Sequence, residues 1–282
     1  MSAGQVAEEL REVRGPSALG GGWHRFFELL WLVSVTDFKK TYFGTVVGYF
    51  WSLIRPLLLF AVLLAVFTQV FRLGSDTVNY PVLLLFNIVV FTFFQEATGG
   101  AVGSVLAQEG IVRKTQFPRL VIPLSVVLTS LFTLGLNLIA VFAFILAYGV
   151  DPTWTWLLLP VILLPLLVLT CAVSMLLSAL NVRFRDVAII WTVLATALFY
   201  GTPVLYPISI VPETLSDILL LNPLTPIFVQ ARVWIIDPAA EGAIATAGGL
   251  LHLFPAAAIY LGVCVSGVWV FHREARRIAE ML

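Results

Sequence analysis

Charge is what this sequence has least of. Only 11% of its 282 residues are Asp, Glu, Lys or Arg, against roughly 25% in an ordinary soluble domain. Hydrophobic residues make up 60%, and the mean hydropathy of +1.00 excludes a soluble globular fold. The 16 basic and 16 acidic residues cancel, so net charge argues for no nucleic-acid partner; only the placement of the charges carries information. Cysteine is nearly missing. Cys171 and Cys264 both sit inside apolar runs, where neither a disulfide framework nor a metal-ligand spacing is available. The three histidines, His24, His252 and His272, are too far apart in sequence to suggest a metal cluster. No G-x-x-x-x-G-K-[ST] segment occurs, which excludes a P-loop within this chain. No paired carboxylates or Ser-His-Asp set can be assembled from the apolar runs, which weighs against a membrane enzyme such as a lipid-linked transferase. Ionisable residues are scarce within those runs, which weighs against proton- or sodium-coupled transport.

What is present is length. Six apolar stretches, near 46–71, 82–104, 122–148, 157–180, 187–207 and 246–271, are long enough to cross a bilayer, which takes about 20 helical residues. The expected fold is therefore all-α, integral to the membrane, with six spans. An even number places both termini on one side. Cations choose the side: Arg11, Arg14, Arg25, Lys39, Lys40, Arg113, Lys114, Arg119, Arg183, Arg185, Arg273, Arg276 and Arg277 all fall on one face, and Arg72 and Arg232 on the other. By the positive-inside rule the first group and both termini are cytosolic. Residues 1–22 carry Glu8, Glu9, Arg11, Glu12 and Arg14 and then Gly20-Gly21-Gly22, with no basic segment leading into an apolar core. They read as a cytosolic tail rather than a cleaved signal peptide. Residues 273–282 form a second cytosolic tail.

Residues 23–40 read as a helix lying in the membrane surface. Trp23, Phe26, Phe27, Leu30, Trp31, Ser34 and Phe38 recur at helical spacing, with His24, Arg25, Glu28 and Thr36 on the other side. The alternative is a ragged start to the first span. One continuous helix over 23–71 would be roughly 70 Å long, far beyond a ~30 Å hydrocarbon core, so a bend is expected at Asp37-Phe38-Lys39-Lys40. Between the fifth and sixth spans, six of the 15 prolines crowd together (Pro203, Pro207, Pro212, Pro223, Pro226, Pro238) among residues that stay apolar. Proline forbids one continuous helix and lipid forbids unpaired backbone. Short broken helices dipping into the outer leaflet meet both constraints; a solvated outer loop is the alternative.

Two charges fall inside the spans. Arg55 and Glu96 lie at matched depth, some 12–14 Å from the cytosolic end at about 1.5 Å per residue. They are expected either to form an intramembrane ion pair fixing the first two spans or to face a wet channel separately.

Several motifs in order resemble a family. Asp37, Lys39, Lys40, Tyr42, Gly48, Trp51 and Pro56 are followed by Phe117-Pro118-Arg119 with Pro123. The turn Asn181, Phe184, Arg185, Asp186 comes next, and last the outer stretch Pro203, Tyr206, Pro207, Pro212, Asn222, Pro223 and Arg232. Across about residues 25–272 the chain resembles the permease subunit of type-2 ABC exporters of polysaccharides or polyol-phosphate polymers, such as O-antigen, teichoic acid and galactan precursors. Arg55 departs from that pattern, where a neutral or acidic residue is expected before the proline.

The resemblance implies a homodimer in the bacterial plasma (inner) membrane, working with two copies of a separate nucleotide-binding subunit that binds ATP and Mg. It implies a lipid-linked glycan as cargo and no cofactor, metal or catalytic residue in this chain. It makes residues 23–40 a gate helix, with Trp23, Arg25, Phe27, Trp31, Asp37, Lys39 and Lys40 as its characteristic positions. The loop 109–119 becomes a coupling helix lodged in the ATPase. Glu109, Ile111, Val112 and Phe117 belong to its helix and plug, Arg113, Lys114 and Arg119 supply rim charges, and Pro118 ends it. An ordinary positive-inside loop would carry the same three cations. Arg185 and Asp186 offer a smaller second contact. Sugar faces stack on aromatic rings, so Tyr42, Tyr49, Trp51, Phe91, Phe94, Trp191, Phe199 and Tyr200 are the channel candidates. A permease for a drug or small lipid is the alternative within the family, and a secondary transporter without an ATPase the alternative outside it.

Overall fold

The computed structural model describes residues 22–43, 48–70, 77–108, 110 and 118–281. Every regular element among them is a helix. The long helices are α1 (Trp23–Phe43), α2 (Gly48–Ala65, continued as a π-helical stretch Val66–Val70), α3 (Tyr80–Val102), α4 (Val121–Ala147), α5 (Leu159–Arg183), α6 (Val187–Tyr200), α7 (Glu213–Leu220), α8 (Thr225–Ile235) and α9 (Phe254–Met281). Prolines punctuate rather than break them. Pro81, Pro160 and Pro226 occupy the first turns of α3, α5 and α8, where a missing N–H costs nothing. Pro56 and Pro165 stand inside α2 and α5.

Five helical segments have the length and apolarity of a span: Phe50–Val70, Tyr80–Val102, Val121–Ala147, Trp154–Arg183 and Leu250–Glu274. The expected fifth span, 187–207, is shorter than the sequence suggests. Helix α6 stops at Tyr200, whose follower Gly201 donates its N–H to the Ala197 carbonyl at 2.8 Å. Fourteen residues rise about 21 Å, short of a full hydrocarbon core. Thr202-Pro203 turns the chain, and the apolar residues beyond form α7 and α8, bent by 102° against each other. The proline-rich segment is thus a pair of broken helices, as the proline spacing suggests.

Helix α3 is the centre of the bundle: most of its residues are buried, whereas α2 and the last span are largely exposed. It packs on α4, α5, α2 and α6, and Leu83, Leu84, Leu85, Phe86, Ile88 and Phe91 are almost wholly enclosed. Helix α9 runs along α5, where Gly267 lets the two backbones approach. Outer apolar surfaces of α2, α6 and α9 remain exposed: Leu58 and Val62, Ile189 and Val193, Leu261 and Val265. On a chain this hydrophobic, such surface belongs against lipid or against another protein subunit.

Helix α1 differs from expectation at its end. It passes through Asp37–Lys40 without a break and reaches Phe43, because neither residue interrupts the i→i−4 ladder and Lys40 pairs with Asp37 across one turn at 3.7 Å. Nor does its stripe share a single environment. Phe26 and Ser34 are buried, while Trp23, Phe27 and Trp31 are exposed. The buried edge follows α4. Ser34 Oγ donates to the Ser125 carbonyl (3.3 Å), Thr129 Oγ1 donates to the Ser34 carbonyl (3.2 Å), and Tyr42 Oη lies 2.9 Å from Thr133 Oγ1. Phe132 is enclosed by Trp31 and Phe38, with centroids 5.4 and 5.8 Å away. From Ser34 to Tyr42 and from Ser125 to Thr133, both helices advance eight residues in the same direction, so α1 lies alongside α4 rather than crossing it at a point.

Candidate functional site

The polar strip of α3 is the most informative surface in the molecule. Within α3 only Gln95, Glu96, Gly99 and Gly100 are exposed. At about 100° per residue, Phe91, Phe94 and Thr98 share one face, which α6 covers. The Trp191 indole N–H donates to Thr98 Oγ1 at 3.1 Å, and its ring stands 6.2 Å from that of Phe94. Gly100 lies toward α4, where an added Cβ would meet Val126 Cγ1 at 3.0 Å. Between those two faces runs the strip Thr92, Gln95, Glu96, Gly99. With Arg55, Pro56, Leu58, Leu59 and Val62 of α2 it lines a groove of about 620 Å³.

Arg55 and Glu96 meet in this groove, Nη1 to Oε1 at 3.7 Å, with side chains 82% and 43% exposed. The two alternatives left by sequence, a pair or separate charges facing a wet space, are combined here: the groups are paired and both open onto the groove. In an open setting such a pair adds at most about 1 kcal/mol to stability. Its consequence is electrostatic, since it leaves the groove without a net charge from these two residues.

Of the rings proposed to face a glycan, Phe91, Phe94 and Trp191 lie in the core and offer no face to a passing chain. Their sequence context could not separate a core ring from a lining ring. Phe199 is half-buried against Phe91, and Tyr42 is half-buried with its ring on Phe38. Trp51 and Tyr200 are well exposed, and the side chain of Tyr49 lies outside the described set.

On the face assigned to the cytosol, the candidates Glu109, Ile111, Val112, Arg113, Lys114 and Phe117 lie outside the described residues. Pro118 and Arg119 open the turn into α4: the Pro118 carbonyl accepts from Val121 N–H at 2.9 Å, and that of Arg119 from Ile122 N–H. Arg119 is 3% exposed, so it is no rim charge in this conformation. Burial lowers its pKa, yet from a starting value so high that the guanidinium stays charged. Arg185 and Asp186 occupy an exposed turn between α5 and α6. Beside them Phe184 projects with the Arg183 guanidinium 5.2 Å over its ring.

Among the gate-helix positions, Trp23, Arg25, Phe27, Trp31, Lys39 and Lys40 are exposed and Asp37 is half-buried. His24 pairs with Glu28 at 3.2 Å on the same helix.

A group of polar residues holds the outer side together; Tyr206 and Asn222 belong to the motif named from sequence, while Asn87 and Tyr80 were passed over. The Asn87 side-chain amide donates to the Pro203 and Val204 carbonyls (3.2 Å each), and Tyr80 Oη donates to Leu205. Asn222 donates to the Gly201 carbonyl and to Thr202 Oγ1, and Tyr206 Oη to the Tyr200 carbonyl. Unwound backbone at the end of a span needs such partners. The available signal was Asn87 itself, an amide within the apolar run Val82–Phe91, which is costly unless paired. Farther along, Trp156 Nε1 donates to the Ile235 carbonyl (3.0 Å), Thr155 Oγ1 donates to the Trp234 carbonyl, and Arg232 pairs with Asp237 at 3.3 Å.

Membrane-length helices packed around a polar strip make this a multi-pass membrane protein. The profile of the ABC-2 type transporter family matches residues 28–235, and the chain belongs to that family. It is therefore the permease component of an ABC system, a class that works with an ATPase subunit. Among its relatives, the O-antigen export system permease protein RfbA of Myxococcus xanthus is 32% identical over 230 residues, covering 79% of this chain and 88% of the relative. RfbA of Klebsiella pneumoniae is 29% identical over 260 residues (91% and 95%). The polysialic acid transport protein KpsM of Escherichia coli is 21% identical over 206 residues (68% and 76%).

Proposed function

We propose that this chain forms, as a homodimer, the membrane path of an ATP-driven exporter that moves a lipid-linked polysaccharide from the cytosol across the bacterial inner membrane. ATP and Mg are bound on a separate nucleotide-binding chain, two copies of which sit on the cytosolic face. What supports the cargo is the O-antigen export named for relatives that align with most of this chain's length. The observation that carries the path is the strip Gln95, Glu96, Gly99 and Gly100, the exposed part of a helix otherwise largely buried. A second copy, facing this groove across a two-fold axis, would enclose a polar conduit between two α2–α3 pairs. Trp51 and Tyr200 are the exposed rings available to stack on sugar.

The loop 109–117 is the ATPase contact, with the Arg183–Asp186 turn beside it. ATP-driven closure of the partner then bears on the inner ends of α3, α4 and α5. Helix α1 is the gate: its exposed rings Trp23, Phe27 and Trp31 rest in the inner leaflet, and Arg25, Lys39 and Lys40 attract the diphosphate of a lipid carrier. The test is reconstitution of the chain with its ATPase in proteoliposomes, followed by transfer of a lipid-linked glycan to the opposite leaflet. Transfer that needs both ATP and the partner is expected. Transfer by the isolated chain would instead favour the secondary-transporter reading.

A further inference from the structure

Arg119 is a charge without a counter-charge. It is 3% exposed, yet among the described residues no carboxylate pairs with it and no acceptor takes its side-chain N–H groups. Enclosed charges in proteins are paired or bound to an ion, because a charge that has lost its water is costly. A guanidinium carries five N–H donors and keeps its proton, so neutralisation does not remove the need. The acceptor must come from outside the chain as it stands.

The head of this side chain is recessed rather than sealed. Buried polar atoms that are closed to water and lack a partner include Asn181 Oδ1 and Arg232 Nε, but none of the Arg119 nitrogens. Since those nitrogens make no hydrogen bond within the protein, the little exposure that Arg119 keeps includes its guanidinium. A single ligand oxygen can reach it.

Position narrows the ligand. Arg119 directly precedes Leu120, the N-cap of α4, and a helix N-terminus adds its own partial positive charge. Helix α4 has 27 residues, about 40 Å at 1.5 Å per residue, which exceeds the ~30 Å hydrocarbon core. The end that the cation distribution makes cytosolic therefore reaches the head-group layer, where phosphate is the abundant anion. The flanking residues are apolar: Leu120 and Leu124 pack with Phe271 of α9, and Ile122 with Val105. Within a turn of Phe271, Val268 and Trp269 are exposed and offer a surface for acyl chains. We infer that Arg119 and the amino end of α4 hold the phosphate group of an inner-leaflet phospholipid. A flexible lipid head group already lies at this depth, whereas a folded soluble subunit would have to push a side chain into the head-group layer to meet the same guanidinium. The site belongs to the chain alone and stands apart from the export reading.

The test uses the full chain, delipidated in a non-ionic detergent, and three probes: phosphatidic acid, diacylglycerol with the same acyl chains, and inorganic phosphate. Native mass spectrometry counts bound lipid, and thermal unfolding reads its effect. Phosphatidic acid is expected to bind at least roughly tenfold more tightly than diacylglycerol and to raise the unfolding midpoint. Inorganic phosphate at the same concentration should leave the midpoint unchanged. Arg119→Met removes an unpaired charge and keeps an apolar stem, so its lipid-free midpoint should lie above the native one, and phosphatidic acid should no longer raise it. Arg119→Lys, which keeps the charge without the planar fork, should bind at intermediate strength. A lipid-free Arg119→Met chain less stable than the native, phosphatidic acid held equally by that variant, equal retention of diacylglycerol, or stabilisation by inorganic phosphate alone overturns the assignment. Loss of ATPase co-purification in Arg119→Met, with lipid binding unchanged, would overturn it in favour of an acidic side chain of the partner. No arm on the lipid needs transport, so its failure leaves ATP-driven export standing, and a chain that binds phosphatidic acid but exports nothing would keep the site and lose the export reading.

Discussion

Gly267 of α9 rests on the backbone of Ala172 in α5: a methyl group added at Gly267 would overlap the Ala172 carbonyl oxygen and stand 2.9 Å from its carbonyl carbon. No side-chain rotation relieves a clash with backbone. Around this point Met175, Ala179 and Phe271 close the same seam toward the cytosolic end. Small residues that permit close backbone approach are a common device for joining helices in lipid, where no hydrophobic effect drives association.

Gly267→Ala is therefore expected to push α9 off α5 and to destabilise the chain by about 1–3 kcal/mol, the usual range for overpacking. Thermal unfolding in detergent should show the loss, while Gly262→Ala, where an added Cβ meets nothing within 4 Å, should leave the midpoint nearly unchanged.

The paired charges of the groove give a second expectation. Arg55→Glu or Glu96→Arg leaves two like charges facing each other in the conduit, and ATP-dependent export should fall well below the native rate with the fold intact. Exchanging both residues restores a neutral groove and should recover most of the activity. Export rates in proteoliposomes, beside circular dichroism of each variant, separate this effect from misfolding.

Asn87→Leu removes the donor that serves two carbonyls at the end of α6. Leaving buried acceptors unpaired costs about 1–3 kcal/mol each, and the disturbance should be local. Hydrogen exchange is expected to quicken over 201–209 and the inner halves of α4 and α5 to stay protected. Tyr80→Phe, which deprives only Leu205 of its donor, should give a smaller effect in the same segment.

At the cytosolic face, Phe117→Asp is expected to abolish co-purification of the ATPase subunit without lowering the yield of the permease. Phe184→Ala, in the second exposed turn, should weaken the association less. An ATPase retained equally by both variants would remove the 109–117 loop from the contact.

The broad architecture was legible because hydropathy records membrane-length helices directly, and proline marked the broken outer pair. The misread points have local causes. Tyr200 ends α6 because Gly201 and Thr202-Pro203 turn the chain there, while the residues beyond stay apolar enough to look like continued span. The path of α1 along α4 depends on Ser34, Ser125, Thr129 and Thr133, small hydroxyl residues whose own helices can satisfy them, so a sequence gives no sign of which neighbour they face. Matched depth left Arg55 and Glu96 either paired or separate, and packing decided it; Phe91, Phe94 and Trp191 shared their composition with lining rings and differed only in packing.

The clasp of Thr155 and Trp156 on the end of α8 ties that helix to the outer end of α5. Helix α5 spans 25 residues, about 37 Å at 1.5 Å per residue, with the Arg183–Asp186 turn at one tip and that clasp at the other. A tilt of about 5° imposed at the inner tip displaces the far tip by roughly 3 Å over that length. On the proposed ATP-driven closure, a push at the inner tip would reach α8 through the rigid length of α5 itself.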